Sequence, residues 1–440
     1  MTINPKSIVF NCDSYKVSMW KQYPPGTEYV YSYVEARKGG PVLNFGLQKT
    51  IIDLIDQKVT TEDVLAAEKF WTAHGEPFNT DGWLYIANEL GGVLPLEIRG
   101  IDEGIVLPSG TPVVTIVNTD PKCFWLTTWV ETAILRDVWY ASSVATTSYN
   151  IRQLIMQYLE KSGNPSGIDF KLHDFGFRGS NSYESSEIGG AAHLISFMGT
   201  DTVSGIFGAA KYYGADIYAT AYSVPAAEHS TITSWGRDKE CLAYENMINQ
   251  FSKPGAIYAV VSDSYDIYNA VDTLWGKELR DKIISTGGTL VIRPDSADPV
   301  VVLPKLITSL EKSFGVTFND KGYKVLNNVR LLWGDGINFM SISSILRMIV
   351  DVLGYSTDNI TFGMGGALHM GVNRDTYGFA MKASAAYVNG EWVDVFKDPI
   401  TDPGKKSKCG RFDDPRLKLR YRDGTLDNVQ KFDEVRANAK

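Results

Sequence analysis

The sequence predicts an α/β protein: a (β/α) barrel accompanied by a second α/β (α+β) domain. Three observations predict it. Short polar strings end apolar runs at nearly even steps, with His173, Asp201, His229, Asp263, Arg293, Asp335 and Gly365 separated by 28, 28, 34, 30, 42 and 30 residues. That is the pace of one strand plus one crossover helix. The runs themselves, such as 256–261, are continuously apolar and rich in β-branched residues, as in strands covered on both faces. Before Gly167 the pattern changes to alternating strands and longer helices.

In chain order, residues 30–34 alternate as a strand and 62–73 have helical spacing. Residues 94–117 read as antiparallel β with turns at Gly104 and Ser109-Gly110, and 123–139 and 148–161 as two helices. Residues 162–167, Ser-Gly-Asn-Pro-Ser-Gly, form the clearest linker. Beyond it, strands at 256–261, 289–292, 329–333 and 359–362 alternate with helices at 267–279, 300–314 and 339–353. Such alternation implies a parallel sheet with right-handed crossovers. Six or seven units favour a barrel, with an open doubly wound sheet as the alternative. The expected division is an N-terminal α+β domain over 1–165, completed by 395–440, and a barrel catalytic domain over 166–394.

A net charge of −8 argues against a general nucleic-acid binder. The four cysteines, Cys12, Cys123, Cys241 and Cys409, form no metal or disulfide pattern and read as free thiols of a reducing cytoplasm. Residues 1–20 contain no apolar signal core, and no stretch approaches the ~18 apolar residues that a membrane span needs.

In parallel α/β folds chemistry gathers at the carboxyl ends of the strands, so the polar strings point to one site for something anionic. Gly334-Asp335-Gly336 and Gly363-Met364-Gly365-Gly366 sit between strand and helix, where glycines admit a phosphate to backbone N–H groups or simply make a turn. Arg293-Pro294-Asp295-Ser296 offers a guanidinium for phosphate or carbonyl oxygen and a carboxylate for ribose or magnesium, or else an internal ion pair. Asp263 and Asp335 suit sugar hydroxyls, magnesium or helix capping. His229 suits a base, a metal ligand, a phosphate acceptor or a structural role, and without a second histidine at ligand spacing zinc is not expected. Phe175 and Arg178 flank Gly176 and suit an aromatic wall beside a cation, or a core ring beside a surface charge. The basic run Lys405-Lys406-Ser407-Lys408 reads as a solvated loop or a phosphate-binding one.

The motifs HDFGFRG, GTDTV, YSVPAAEHSTITSWG, VVSDSYDIYNA, VIRPDS, GDG and FGMGG, in this order, resemble those of the nicotinamide phosphoribosyltransferase family. So do Asp13-Ser14-Tyr15-Lys16, Lys21-Gln22-Tyr23-Pro24-Pro25 and Phe396-Lys397-Asp398-Pro399, and the resemblance runs from residue 10 to 411. It implies the irregular barrel of type II phosphoribosyltransferases and a homodimer with shared active sites. The implied reaction joins nicotinamide to phosphoribosyl pyrophosphate with Mg²⁺, giving nicotinamide mononucleotide and pyrophosphate. Phe175 and Tyr15, the latter from a second subunit, would sandwich the pyridine ring, with Arg178 and Arg293 near it and Asp201 accepting from the carboxamide. Asp263, Asp295, Gly334, Asp335, Gly365 and Gly366 would bind ribose and phosphates, with magnesium held through pyrophosphate and by Asp263 or Asp295. Arg37, Arg374, Lys382 and Lys397 would meet pyrophosphate or the nucleotide phosphate. His229 would be phosphorylated by ATP, with His229, Arg293 and Asp295 as the catalytic group.

The resemblance leaves open which lysine of 405–408 meets phosphate. Ala380 stands where animal relatives carry serine, and the long C-terminal extension of those relatives is not matched. The rivals are a nicotinate phosphoribosyltransferase and a non-catalytic protein that retains the fold.

Overall fold

The computed structural model describes residues 3–402 and 405–440. The chain forms two compact units, one comprising residues up to 146 with 209–215 and 372–440, the other 147–208 with 216–371.

The second unit is built on six parallel strands: Leu172–Asp174, Gly199–Thr200, Ile257–Val261, Thr289–Arg293, Val329–Trp333 and Ile360–Met364. In space, Gly199–Thr200 and Ile257–Val261 are the two edges, and Leu172–Asp174, Ile360–Met364, Val329–Trp333 and Thr289–Arg293 lie between them in that order. The sheet curls, and residues 222–227 connect its edges. On one side Tyr222 donates to the Met198 carbonyl at 2.8 Å and accepts from the Thr200 amide at 3.0 Å. On the other, the Ala259 amide donates to Pro225 at 2.9 Å and Ala227 donates to Ala259 at 3.0 Å. The result is an irregular barrel. Pro225 has no N–H to give a ladder, which is why this segment bridges at points and does not pair as a strand. Leu290, Ile292, Leu331, Trp333 and Phe362 are buried, as the apolar runs require. A small interior cluster of Ala259, Val291 and Leu332 packs against Phe175.

Two expected helices carry π-helical turns, at Ala270–Glu278 and Arg347–Val352. The segment at 162–167 is no boundary: it leads into a 3₁₀ turn, Pro165–Phe170, inside the barrel unit.

The first unit holds a seven-stranded antiparallel sheet, ordered Glu391–Asp394, Ala380–Val388, Thr27–Glu35, Pro112–Asn118, Leu96–Gly100, Lys418–Arg422 and Thr425–Leu426. Residues 380–394 thus belong here and not to the barrel to which the sequence assigned them. Ala380–Val388 pairs with Thr27–Glu35, hundreds of positions away, and local pattern carries no trace of that pairing; Glu391–Asp394 follows as its hairpin neighbour. The two helices expected at 123–139 and 148–161 are a short helix, Leu126–Trp129, followed by one long helix, Glu131–Ser162, that runs through both. Its middle, Tyr-Ala-Ser-Ser-Val-Ala-Thr-Thr, has no helix breaker, but small polar residues interrupt its buried apolar ones, Ala141, Val144 and Ala145. The polar residues pack by hydrogen bonding: Ser142 Oγ exchanges bonds with both backbone groups of Phe45 at 3.0 Å, and Thr146 Oγ1 accepts from the Leu43 amide at 2.9 Å. No helix among the described residues is long and apolar enough to cross a membrane.

Barrel closure depends on Gly199, which stands opposite His173; a Cβ there would lie 2.7 Å from three atoms of the imidazole ring. Gly199→Ala is expected to destabilise the protein by about 1–3 kcal/mol through overpacking. Gly167→Ala, with nothing within 4 Å of its new Cβ, is expected to be near neutral. Thermal melting of the two variants checks this.

Candidate active site

Parallel register carries the polar strings to one rim of the barrel. Thr200, Asp174 and Met364 are aligned across three strands, so Asp201, Phe175 and Gly365 follow side by side. Trp333 is aligned with Phe362, bringing Gly334 beside Gly363, and Val261 with Arg293, bringing Asp263 near Asp295. The Phe175 ring lies over the Gly363 backbone, where a Cβ would meet its Cε2 at 2.0 Å, and within 3.7 Å of the Cβ position of Gly334. Glycine at 363 is therefore what lets the ring approach the strand end so closely. Arg178 is exposed, in a single 3₁₀ turn, Phe177–Gly179, whose Gly179 is in backbone contact with Gly366.

Asp263 organises the opposite part of the rim. Its Oδ1 is 3.0 Å from His229 Nε2, and its Oδ2 accepts from the Asp295 amide at 3.0 Å and from Ser296 Oγ at 2.6 Å. Burial would raise its pKa, but the bonds from Ser296, His229 and the Asp295 amide outweigh this and hold the carboxyl below its ordinary value. Nε2 is thus the ring nitrogen of His229 that faces the carboxylate, and Nδ1 is the one that does not. Arg293 lies mostly buried at the strand end, its Nε 4.0 Å from Asp295 Oδ1 and without a hydrogen-bond partner. The internal ion pair weighed for this motif is therefore at best a loose one. Ala297 has φ of 73°, a left-handed conformation unusual for alanine, and turns the chain sharply after Ser296.

Asp201 projects from the loop after Gly199–Thr200. It is exposed, its amide donates to the Asp174 carbonyl at 2.9 Å, and its Oδ1 accepts from Ser223 Oγ at 2.5 Å. Asp335 is exposed at the next rim position, its carbonyl accepting from Trp333 Nε1 at 2.8 Å.

The remaining expected residues belong to the first unit. Arg37, Lys382 and Lys397 converge there with Lys408 around Glu35. Lys408 Nζ is 2.6 Å from Glu35 Oε2, and Arg37 Nε donates to the Gly378 carbonyl at 2.8 Å. The Lys382 ammonium is buried without a partner. Burial first, then the like charges of Arg37, Lys397 and Lys408, lower its pKa against the pull of Glu35. An unpartnered ammonium among cations is a ready site for an anion. Arg374 is exposed near the start of the turn whose Tyr377 and Gly378 carbonyls hold Arg37. Tyr15, on the 3₁₀ helix Ser14–Lys21, is also exposed. Within the basic run, Lys405 pairs with Asp402 and Lys406 with Asp398, so only Lys408 joins the cation group. Sequence left that choice open because it turns on the fold of the loop, where Ser407 Oγ ties back to the Lys397 amide.

The acids do not form a metal cage. No group of three or more His, Cys, Asp or Glu residues is placed to hold a metal among the described residues. Asp263, one of the two acids expected at magnesium, has both oxygens engaged within the protein, which leaves Asp295.

Sequence reasoning singled out neither His369 nor the contacts made by Asp174, Ser223, Ser296 and Gly363, although those four stand inside quoted motifs. Ser223 and Ser296 lie inside quoted motifs, yet their partners, Asp201 and Asp263, are 22 and 33 positions away.

The fold is that of the type II phosphoribosyltransferases. The chain superposes on nicotinate-nucleotide pyrophosphorylase from Pyrococcus furiosus with a TM-score of 0.60 at 14% identity, covering 100% of this chain and 96% of the other. It superposes on human nicotinic acid phosphoribosyltransferase with a TM-score of 0.56 at 15% identity, covering 97% and 92%. Residues 170–427 match the profile described as the nicotinate phosphoribosyltransferase (NAPRTase) family, and residues 7–98 that of the nicotinamide phosphoribosyltransferase N-terminal domain. A protein of Xanthomonas campestris pv. campestris named nicotinamide phosphoribosyltransferase is 50% identical over 429 residues, 96% of this chain and 91% of the relative. One of Acinetobacter baylyi with the same name is 32% identical, over 92% of this chain and 87% of the relative. The chain belongs to the nicotinamide phosphoribosyltransferase family and is a phosphoribosyltransferase enzyme.

The depressed pKa of Asp263 has a testable sign. A carboxyl whose folded pKa lies below its unfolded value of about 3.9 adds stability that is complete above that value and lost as pH falls through the folded pKa. Asp263→Asn is therefore expected to be less stable than the parent near neutrality and to lose less stability between about pH 6 and about pH 3. Denaturant titrations across that range check it.

Proposed function

We propose that this chain transfers the 5-phosphoribosyl group of phosphoribosyl pyrophosphate to nicotinamide, giving nicotinamide mononucleotide and pyrophosphate. The observation that carries this reading is Asp201, an exposed strand-end carboxylate whose Oδ1 is taken by Ser223 and whose Oδ2 is left to accept from an N–H donor such as a carboxamide. Nicotinate would bring a second negative charge to the same place and be repelled. With the ring against Phe175 and the phosphoribosyl group along Arg293, Asp295, Gly334, Asp335, Gly365 and Gly366, the bond from C1′ to pyrophosphate oxygen breaks and the bond from C1′ to the pyridine nitrogen forms. Charge builds on the ribose, so these residues act mainly by positioning the reactants and stabilising the leaving group. Magnesium would be held through pyrophosphate and by Asp295, the acid not engaged by three bonds within the protein, and would neutralise the leaving group; Arg37, Arg374, Lys382, Lys397 and Lys408 supply cations for phosphates.

In the same reading ATP is a coupled co-substrate. His229 Nδ1, the nitrogen not facing Asp263, attacks the γ-phosphorus; the N–P bond forms as ADP leaves, and water later cleaves the phosphohistidine to phosphate. The added negative charge organises the pyrophosphate site. The working unit is a homodimer, in which exposed Tyr15 serves the ring site of a second copy.

The match of residues 170–427 to the nicotinate family makes nicotinate the alternative substrate. Comparing kcat/KM for the two bases decides: nicotinamide is expected to be preferred, and a preference for the acid overturns the reading. Asp201→Asn is expected to cut that preference by about ten- to hundredfold, the worth of one charge-assisted hydrogen bond of about 1.5–3 kcal/mol. His229→Ala is expected to abolish stimulation by ATP while basal transfer persists, as measured by mononucleotide formation with and without ATP; unchanged stimulation refutes the phosphohistidine.

A further inference from the structure

Beneath the rim of the barrel unit lies a buried Asp–His hydrogen-bonded pair with no part in the proposed reaction. Asp174 and His369 are both fully buried, with His369 Nε2 at 2.8 and 3.0 Å from the two carboxylate oxygens. The Gly176 amide donates to Asp174 Oδ1 at 2.7 Å. Burial would raise the Asp174 pKa, but the His369 contact and the Gly176 amide hold it below its ordinary value. Packing alone does not call for a buried polar pair here, since an apolar pair of similar volume often serves a core as well.

What distinguishes this pair is what its two ends hold. Asp174 directly precedes Phe175, its carbonyl accepts from the Asp201 amide, and its carboxylate receives the turn amide of Gly176. His369 stands on the short helix Gly366–Met370, which begins at the glycine turn. The two loops are pressed together around the pair: a Cβ on Gly176 would lie 2.2 Å from His369 Cδ2, and one on Gly179 would lie 2.9 Å from Gly366 Cα. The Phe175 amide also donates to the Met364 carbonyl at 2.9 Å.

We propose that Asp174 and His369 are positioning residues that lock the ring wall and the glycine turn into one unit, so that the sites for base and phosphoribosyl group are set together. The proposal rests on the roles given above to Phe175, Asp201 and Gly365–Gly366. A loop displaced by an ångström is enough to lose a productive pose, and one broken latch would displace both loops at once.

The test uses His369→Leu, His369→Gln and, because leucine strands a buried carboxylate, the double variant Asp174→Asn/His369→Leu, which removes the charge as well. In His369→Leu and the double variant, KM for nicotinamide and KM for phosphoribosyl pyrophosphate are expected to rise together, each by about tenfold. His369→Gln keeps an N–H toward the carboxylate and is expected to restore both. A lower melting temperature with both KM values at the parent level, or a change in only one of them, overturns the latch. Failure of the parent enzyme to use nicotinamide overturns the proposed function instead; if it uses nicotinate, the paired KM shifts with that base still decide the latch.

Discussion

Parallel hydrogen-bonded register is the constraint on which the site depends. Each barrel strand is only two to five residues long, so a slip of one position would move its terminal side chain to the other face of the sheet. The aligned rows of Thr200, Asp174 and Met364, and of Val261 and Arg293, fix where the next residue of each strand emerges. Everything at the rim, from the ring over Gly363 to the carboxylate of Asp263, is a consequence of that alignment.

The rim spends its charges in two ways. Asp263 and Asp174 are carboxylates whose bonds lie inside the protein, and they hold loops in place. Asp201, Asp295 and Asp335 keep at least part of their capacity toward solvent, where a substrate can reach them. Each unit also leaves a cation open: Arg293 Nε in the barrel unit is buried and unpartnered, and in the first unit Lys408 is neutralised by Glu35 whereas the Lys382 ammonium is buried and unpartnered. A protein that leaves buried donors unsatisfied bears a cost of desolvation that an anionic ligand relieves.

Much of this was legible in the sequence. The strand at 329–333 has the bounds that the pattern predicts, and the neighbouring strands of the barrel lie within a residue or so of theirs, because a strand buried on both faces must be apolar throughout and must stop where polarity begins. The continuity of the helix Glu131–Ser162 was not legible, because small polar residues interrupt its apolar period in the middle, where Ser142 and Thr146 pack by hydrogen bonds. Nor was the membership of 380–394 in the antiparallel sheet, since a strand does not declare its partner. Residues 222–227 contribute motif and barrel closure at once, and only the motif is visible in one dimension.

The sequence by itself determined the family, the alternation of strand and helix, and the residue types at each strand end, because these depend on local polarity and motif order. Tertiary structure alone decided which of those residues stay open to solvent and which bond to one another. Asp263 and Asp295 look equivalent in the sequence, yet the first is engaged by His229, Ser296 and a backbone amide. His369 looks like an isolated histidine until the fold brings it 2.8 Å from Asp174, across 195 positions of chain. The physical reason is that a hydrogen bond is fixed by distance and direction in space, and neither is encoded by spacing along the chain.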